Sequence, residues 1–164
     1  MIYASVSEIE TLAIFNEMKI YIGADHRGFK LKSELKEWLS SISHQVEDLG
    51  AVELVPRDDY VDFAKSVAQK ISNEQGSRGI VICGSGAGVD ITANKIKGVR
   101  SCLGFNIQQV KAARADDNIN VLALASDFTF LDNAKLLVSA FLETVFDPTD
   151  NHTRRIEKIR NLES

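Results

Sequence analysis

Two segments of the chain combine glycines with side chains that can exchange protons. The segment GADHRG (23–28) carries a carboxylate, Asp25, and an imidazole, His26, and the segment CGSGAG (83–88) carries a thiol and a hydroxyl. Carboxylates, imidazoles and thiolates act as general bases in enzymes. The glycines let the backbone turn sharply, so that successive amides at a helix start can hold an anion or a developing oxyanion. Together the segments predict a site that binds an anion and moves a proton.

Cys83 is the strongest candidate base in the second segment. It ends a continuous apolar run, GIVIC (79–83), and directly precedes the glycines. Backbone amides and a helix dipole at such a place favour the thiolate. Most free cysteines are small buried core residues, so position alone leaves both interpretations open. Cys102 lies within another apolar run without this context, and we predict that it belongs to the core.

The glycine-rich turn is partly similar to the dinucleotide-binding fingerprint. GSGAGVD (84–90) does not fit G-x-G-x-x-G, because its third glycine comes one residue early. The turn also follows the third predicted strand, whereas the fingerprint follows the first. A nucleotide-binding module is therefore the weaker interpretation.

Three other groups of residues are candidates, and two of them have two interpretations. Asp25 follows a strand in the same crevice, where a loop Asp either reaches a ligand or caps the next helix. His26 stands near a helix start and is a candidate phosphate contact. On the last predicted helix, His152, Arg154 and Arg155 form either a solvated charged face or a phosphate clamp, because guanidinium forks suit phosphate oxygens.

The elements that must position these residues alternate along the chain. Apolar runs predict strands over 19–24, 45–49, 79–83, 99–104 and 121–125. Helical spacing predicts helices over 29–43, 59–72, 89–96, 107–115, 131–145 and 149–162.

This alternation predicts right-handed βαβ units and a parallel sheet covered on both faces. We expect an α/β domain over residues 18–164: a three-layer, Rossmann-like, doubly wound sheet of five parallel strands with a C-terminal helix. Residues 1–17 are predicted to be an N-terminal extension. Ligands of such sheets bind beyond the carboxyl ends of the strands, where both chemical segments lie.

Composition excludes several classes of function. The net charge of −4 argues against a nucleic-acid partner, which favours a basic face. No run of 18 apolar residues is present, so no membrane partner is expected. Two cysteines form neither a disulfide framework nor a metal-ligand spacing, which favours a reduced, cytoplasmic setting without a metal.

Taken together, the motifs resemble the family of ribose-5-phosphate isomerase B and the galactose-6-phosphate isomerase subunits, from about residue 18 to residue 159. The stretches that carry the resemblance are GADHRGFKLK (23–32), Asp59-Tyr60, GIVICGSGAGVDITANK (79–95), Gly98-Val99-Arg100 and Asn120-Val121-Leu122-Ala123. The strand, CGSGAG turn, helix and ANK block is specific, and with GADHRGF it makes a strong match.

The resemblance implies an aldose–ketose isomerase acting on a small phosphorylated sugar without a metal or organic cofactor. In such an enzyme Cys83 moves a proton between C1 and C2, and Ser85 passes a proton between the two oxygens. The enediolate oxygen is held by the amides of the turn, at Gly84, Gly86, Ala87 and Gly88. Asp25 and Tyr60 contact substrate hydroxyls, and the phosphate end is held by His26, Arg155 and, in the clamp interpretation, His152. The family also implies a homodimer or tetramer with sites shared across the interface.

The chain departs from the family pattern at four positions. Where the ribose enzyme has a ring-opening His followed by Asn, this chain has Asp116 and Asp117. A family Arg after the fifth strand is replaced by Asp127, and the Arg before His152 is replaced by Asn151. The isomerising half is thus intact, whereas the ring-opening half and part of the phosphate-binding half differ.

Three hypotheses follow. The first, ranked highest, is a ribose-5-phosphate isomerase in which Asp116 or another group handles ring opening. The second is a subunit completed by a paralogous partner, as in galactose-6-phosphate isomerase; PTDNHTRR (148–155) resembles its cysteine-containing subunit. The third is an isomerase of a tetrose 4-phosphate, which cannot close a five-membered ring. A non-catalytic sugar-phosphate-binding module is the alternative from another class.

Overall fold

The computed structural model describes residues 18–163. The predicted N-terminal extension, residues 1–17, lies outside the described residues. No helix in the described part is long and apolar enough to cross a membrane.

A single five-stranded sheet forms the middle layer. Its strands are β1 (Lys19–Ala24), β2 (Gln45–Asp48), β3 (Arg78–Cys83), β4 (Ser101–Leu103) and β5 (Val121–Ala125). The order across the sheet is β2-β1-β3-β5-β4, and every neighbouring pair is parallel. The predicted doubly wound α/β sheet is therefore confirmed. The strand β3 lies at its centre, where the order of connections reverses.

In residues 18–163, six helices and a final turn accompany the strands. The helices are α1 (Phe29–Ser41), α2 (Tyr60–Asn73), α3 (Ala87–Ala93), α4 (Ile107–Asp117), α5 (Leu131–Glu143) and α6 (Asp150–Arg160); a 3₁₀ turn (Asn161–Glu163) follows.

The helix α3 differs most from its predicted range, since it begins two residues earlier and ends three residues sooner. Gly86 adopts a left-handed conformation directly before it, and Asn94 ends it by exchanging hydrogen bonds with Ser101. The chain then turns through Gly98, with φ +80°, which shortens the following strand to Ser101–Leu103.

The core consists of two apolar layers, one on each face of the sheet. Alternate strand residues point to opposite faces. Ile80 and Ile82 pack with α1, α4 and α5, whereas Val81 and Cys83 pack with α2 and α3. The predicted three-layer arrangement is confirmed, and it puts the side chain of Cys83 on the face covered by α2 and α3.

The two edges of the sheet carry different residues. The carboxyl edge holds the residues that follow Ala24, Cys83 and Ala125. The amino edge holds the start of β3, β4 and β5, roughly 17 Å away at 3.3 Å per strand residue. Since α4 returns from the carboxyl edge after β4 to the amino edge before β5, its last residues, Asp116 and Asp117, lie at the amino edge.

Candidate active site

The centre of the candidate site is the short turn between β3 and α3. Gly86 has φ +73°, a left-handed conformation that favours glycine. A Cβ there would lie 2.4 Å from Leu103 Cδ1 and 3.0 Å from the backbone carbon of Leu124. The first amides of α3 have no intrahelical acceptor, and no side chain caps them. The turn therefore packs tightly on the sheet and leaves amide donors at the carboxyl edge.

Cys83 directly precedes this turn. Only 4% of the residue is exposed, and its carbonyl accepts hydrogen bonds from the amide and the hydroxyl of Ser126, at 2.9 and 3.2 Å. Ser85, two residues further on, is exposed. The side chain is thus held at a rigid strand end beside the amides, and it packs in the buried apolar cluster between the sheet, α2 and α3.

Asp25 orders the loop after β1. It is 3% exposed, and its Oδ1 accepts the amides of Arg27 and Gly28, both at 3.0 Å. The bonded amides precede α1, whose N-cap is Gly28 without a side-chain cap, so Asp25 orders the loop and does not cap the helix. Its predicted contact with a substrate hydroxyl stays a prediction.

His26 is held by a residue that the sequence did not single out. The Oδ1 atom of Asp58 lies 2.7 Å from the amide of His26 and 2.8 Å from its Nδ1. The Oδ2 atom of Asp58 is buried and has no hydrogen-bond partner in the described part of the chain. Since Nδ1 faces Asp58, Nε2 is the ring nitrogen left for a ligand.

Tyr60 reaches the same turn from the other helix of that face. It is the first residue of α2, whose start is capped by Asp59 accepting the Val61 amide at 3.0 Å. A Cβ on Gly88 would lie 2.6 Å from Tyr60 ring carbons and 3.0 Å from its hydroxyl oxygen. The structure therefore brings Tyr60 and the amide turn together.

Arg27 is a further residue at this turn, and sequence analysis missed it. A Cβ on Gly84 would lie 2.2 Å from Arg27 Cζ, so the guanidinium group lies directly over Gly84. Arg27 pairs with Asp127, whose amide in turn donates to the Gly84 carbonyl at 3.0 Å. The sequence signal for this residue was the Arg within GADHRG. The direction of the Arg27 side chain, however, depends on Asp127, 100 residues away in the chain.

Four predicted site residues lie elsewhere in the chain. Asp116 and Asp117 are at the amino edge, and His152 Nε2 lies 3.7 Å from Asp116 Oδ1. Nδ1 of His152 is 2.9 Å from the Asp147 carbonyl, and Arg155 is exposed on α6. Within one chain, this group and Cys83 occupy opposite edges of the sheet.

Comparison with known proteins decides the family. A family model described as Ribose/Galactose Isomerase matches residues 20–159. The chain belongs to this family. It is 41% identical to the probable ribose-5-phosphate isomerase B of Mycoplasma pneumoniae, over 85% of this chain and 91% of that protein. It is 34% identical to the ribose-5-phosphate isomerase B of Mycobacterium tuberculosis, over 89% of this chain and 90% of that protein.

Solved structures of ribose-5-phosphate isomerase B agree with the fold. The protein from Clostridium thermocellum superimposes with a TM-score of 0.85 at 36% identity, covering 89% of this chain and 97% of that one. The protein from Mycoplasma genitalium, solved with bound ribulose-5-phosphate, superimposes with a TM-score of 0.85 at 40% identity, covering 89% and 96%. The resemblance predicted from the motifs is confirmed.

Cys102, the second cysteine of this ribose/galactose isomerase family member, has the contacts of a structural residue. Cys102 is half-buried, and the Gln109 side-chain amide donates to its sulfur at 2.9 Å. Burial raises the pKa of the Cys102 thiol. Cys102 was predicted to belong to the core, and it packs against the core from a half-buried position. Among residues 18–163, no group of three or more His, Cys, Asp or Glu side chains is arranged to hold a metal ion.

Proposed function

We propose that this chain is a ribose-5-phosphate isomerase that interconverts ribose 5-phosphate and ribulose 5-phosphate through an enediolate. The observation that carries the proposal is the Cys83 thiol at the end of β3, beside the amide turn on which Tyr60 and Arg27 lie. The names of the relatives support it, as does the ribulose-5-phosphate bound by the Mycoplasma genitalium protein.

The proton transfer needs one base and one oxyanion site. The Cys83 thiolate takes the proton from C2 of the open-chain aldose, and that electron pair forms the C1–C2 double bond. The C1 carbonyl oxygen becomes an oxyanion, which the amides of residues 84–88 hold in place. Return of the proton to C1, with Ser85 passing the hydroxyl proton from O2 to O1, leaves the carbonyl at C2. The short turn supplies the base, the oxyanion donors and the hydroxyl.

Residues around the turn position the rest of the sugar phosphate. Asp25 and Tyr60 contact substrate hydroxyls, and the His26 Nε2 and the Arg27 guanidinium group hold the phosphate end. Asp58 fixes the orientation of the His26 ring. Because donors held in place cost no reorganisation during the reaction, this loop favours productive binding.

We further propose that a second copy of the chain completes each site. Ring opening by Asp116, with Asp117, His152 and Arg155 near the phosphate, requires the amino edge of one chain to face the carboxyl edge of another. Three exposed phenylalanines at the carboxyl edge support such contact: Phe105, Phe128 and Phe130. Phe105 and Phe128 line one groove there. The enzyme is then a homodimer or tetramer of the cytoplasm, working in pentose phosphate metabolism.

One observation favours a second candidate substrate. Asp116 and Asp117 stand where the ribose enzyme has a ring-opening His and an Asn, and no His of the described residues lies at the carboxyl edge except His26. A tetrose 4-phosphate cannot form a five-membered ring and needs no ring-opening acid. A tetrose 4-phosphate therefore belongs among the sugar phosphates that test the proposal.

The test is incubation of the pure protein with pentose, hexose and tetrose phosphates in deuterated water. We expect deuterium at C1 or C2 of the product, with ribose 5-phosphate the best substrate. Cys83→Ala should lower kcat by about a thousandfold, the order of a general base, while ligand binding persists. Cys102→Ala is the matched control and should keep its activity. No exchange with any sugar phosphate, or equal activity of both variants, contradicts the proposal.

A further inference from the structure

A polar cavity of about 600 Å³ lies at the amino edge of the sheet. It opens between the segments that precede β3, β4 and β5. Its polar lining includes three arginines and one carboxylate, together with amide side chains: Arg78, Arg100, Arg160, Glu74, Gln75, Asn118 and Asn120. In one chain this edge and Cys83 are separated by the length of β3, so the cavity and the amide turn share no residue.

The cavity concentrates positive charge on a chain whose net charge is −4. Behind its arginines lies a fourth, Arg114, which is 5% exposed. Among residues 18–163, Arg78, Arg100 and Arg114 have no carboxylate within 4 Å. Burial, and then the neighbouring arginines, lower the pKa of Arg114 to about 10. Burial and Arg100 likewise lower the pKa of Arg78.

The nearby carboxylates are already engaged by other groups. Glu74 accepts the Tyr21 hydroxyl and lies 3.8 Å from Lys19 Nζ. Glu163 accepts the Gly98 amide at 3.0 Å. Glu163 still favours the charged form of Arg100, but burial and Arg160 outweigh it and lower the pKa of Arg100, so the described part of the chain compensates the repulsion between the guanidinium groups only in part.

The arginines are also oriented by the backbone. Arg78 Nη1 donates to the carbonyls of Gly76 and Ser77, and Arg100 Nε donates to the carbonyls of Asp117 and Asn118. By contrast, the Nε atoms of Arg78 and Arg114 are buried and have no hydrogen-bond partner among residues 18–163. Buried donors without partners are rare and costly, and Arg78, unlike Arg114, lines the cavity, which points to an absent acceptor there.

We propose that this cavity binds a phosphorylated small molecule carrying at least two negative charges, at a site that shares no residue with the amide turn of the same chain. A phosphate group offers several acceptor oxygens to guanidinium forks, and its charge offsets the repulsion between the arginines. The volume is that of a metabolite pocket, larger than a lone inorganic ion needs.

The test measures binding of inorganic pyrophosphate by calorimetry, at fixed ionic strength in chloride buffer. Arg78→Gln should weaken this binding about tenfold, because one guanidinium fork is lost. The side-chain amide of the glutamine can still reach the Ser77 carbonyl. Lys65→Gln removes an equal charge from an exposed position of α2 and should bind like wild type. If Arg78→Gln does not fold, Arg160→Gln replaces it, since Arg160 is exposed and has only a 3.9 Å pair with Glu157.

A second measurement separates this cavity from the substrate site. Ribose 5-phosphate turnover of Arg78→Gln in phosphate-free buffer should stay within about twofold of wild type. Because binding is measured without turnover, failure of the isomerase proposal leaves this test intact. Equal pyrophosphate affinity of the Arg78 and Lys65 variants, or one-for-one displacement of pyrophosphate by ribose 5-phosphate, overturns the proposal.

Discussion

At the scale of single residues, the Arg27–Asp127 pair changes how the departures from the family pattern are understood. The family resemblance predicts an Arg where this chain has Asp127, and that replacement by itself would remove a cation from the proposed site. The structure has a guanidinium group over the amide turn nevertheless, delivered from the loop after β1 and held by that same Asp127. The acidic replacement therefore positions a cation that comes from a different strand end.

Substitution of Arg27 tests this positive charge. Arg27→Met should raise KM for ribose 5-phosphate about tenfold with a smaller change in kcat, because a phosphate contact is lost. Steady-state kinetics measures both constants. The control is Lys30→Met, which removes an exposed charge in the first turn of α1. Equal KM values for the two variants would contradict a role of Arg27 in binding.

The buried ion pair between Lys32 and Asp48 gives the protein a defined dependence on pH. Lys32 Nζ lies 2.9 and 3.0 Å from the Asp48 carboxylate oxygens, and its side chain is 1% exposed. Burial alone raises the pKa of Asp48, but hydrogen bonds from Lys32, the Gly50 amide and Lys36 outweigh it. The pKa therefore lies below its ordinary value of 3.8. A lowered pKa means that ionised Asp48 stabilises the fold above that value.

Asp48→Asn should lower the free energy of unfolding at pH 7 by about 3 kcal/mol, because it leaves the Lys32 ammonium without its counter-charge. The difference from wild type should shrink as the pH falls below 3.8 and Asp48 becomes protonated in both states. Urea unfolding between pH 7 and pH 2.5 measures it. Glu53→Gln, at an exposed position, should show no such trend. A difference independent of pH would rule out this linkage.

At the scale of elements, the sequence predicted the sheet better than the ends of α3. Continuous apolar runs indicated β1, β3 and β5 because these strands are buried on both faces, and the predicted bounds agree to within a residue. The start of α3 was missed because Ala87 and Gly88 carry no apolar periodicity. The contact of Tyr60 with Gly88 was also beyond sequence reasoning from periodicity, since it depends on how α2 packs beside α3.

Two glycines with positive φ, Gly76 and Gly86, allow the energetic cost of tight packing to be distinguished from the cost of backbone strain. Gly76→Ala should cost about 1 kcal/mol of unfolding free energy, because nothing lies within 4 Å of its Cβ position and only the left-handed backbone, φ +88°, resists it. Gly86→Ala should cost roughly 2–4 kcal/mol, because its Cβ also meets Leu103 and the β5 backbone. Chemical denaturation of both variants measures the difference. Equal costs would show that the turn is not tightly packed.

At the scale of the whole molecule, the separation of the predicted site residues has one physical cause. A parallel sheet puts the residues after its strands at one edge, and α4 carries Asp116 and Asp117 to the other. The family resemblance predicted both groups as site residues, because it follows the order of residues along the chain and not their positions in space. Their separation follows from the topology, so one folded chain holds the two halves apart.

Mixing two impaired variants, assayed at ribose 5-phosphate concentrations well below KM, tests the shared site. In a homodimer, random exchange of Cys83→Ala and Arg155→Gln chains makes half of the dimers mixed, and each mixed dimer has one intact site. The mixture should therefore regain about one quarter of wild-type activity. Cys83→Ala mixed with Ser85→Ala should regain none, because both substitutions fall on the same edge of the sheet. An equal recovery in both mixtures, or none in either, would contradict the shared arrangement.

The 4% exposure of Cys83 has a consequence for its chemical reactivity. A residue so enclosed should sort electrophiles by size, since a bulky alkylating reagent cannot approach a buried side chain. Small reagents such as iodoacetamide should therefore react faster than bulky maleimides, and under the proposed function a bound sugar phosphate should slow both reactions. The strand end that holds the sulfur in place thus also limits its damage by thiol-modifying compounds.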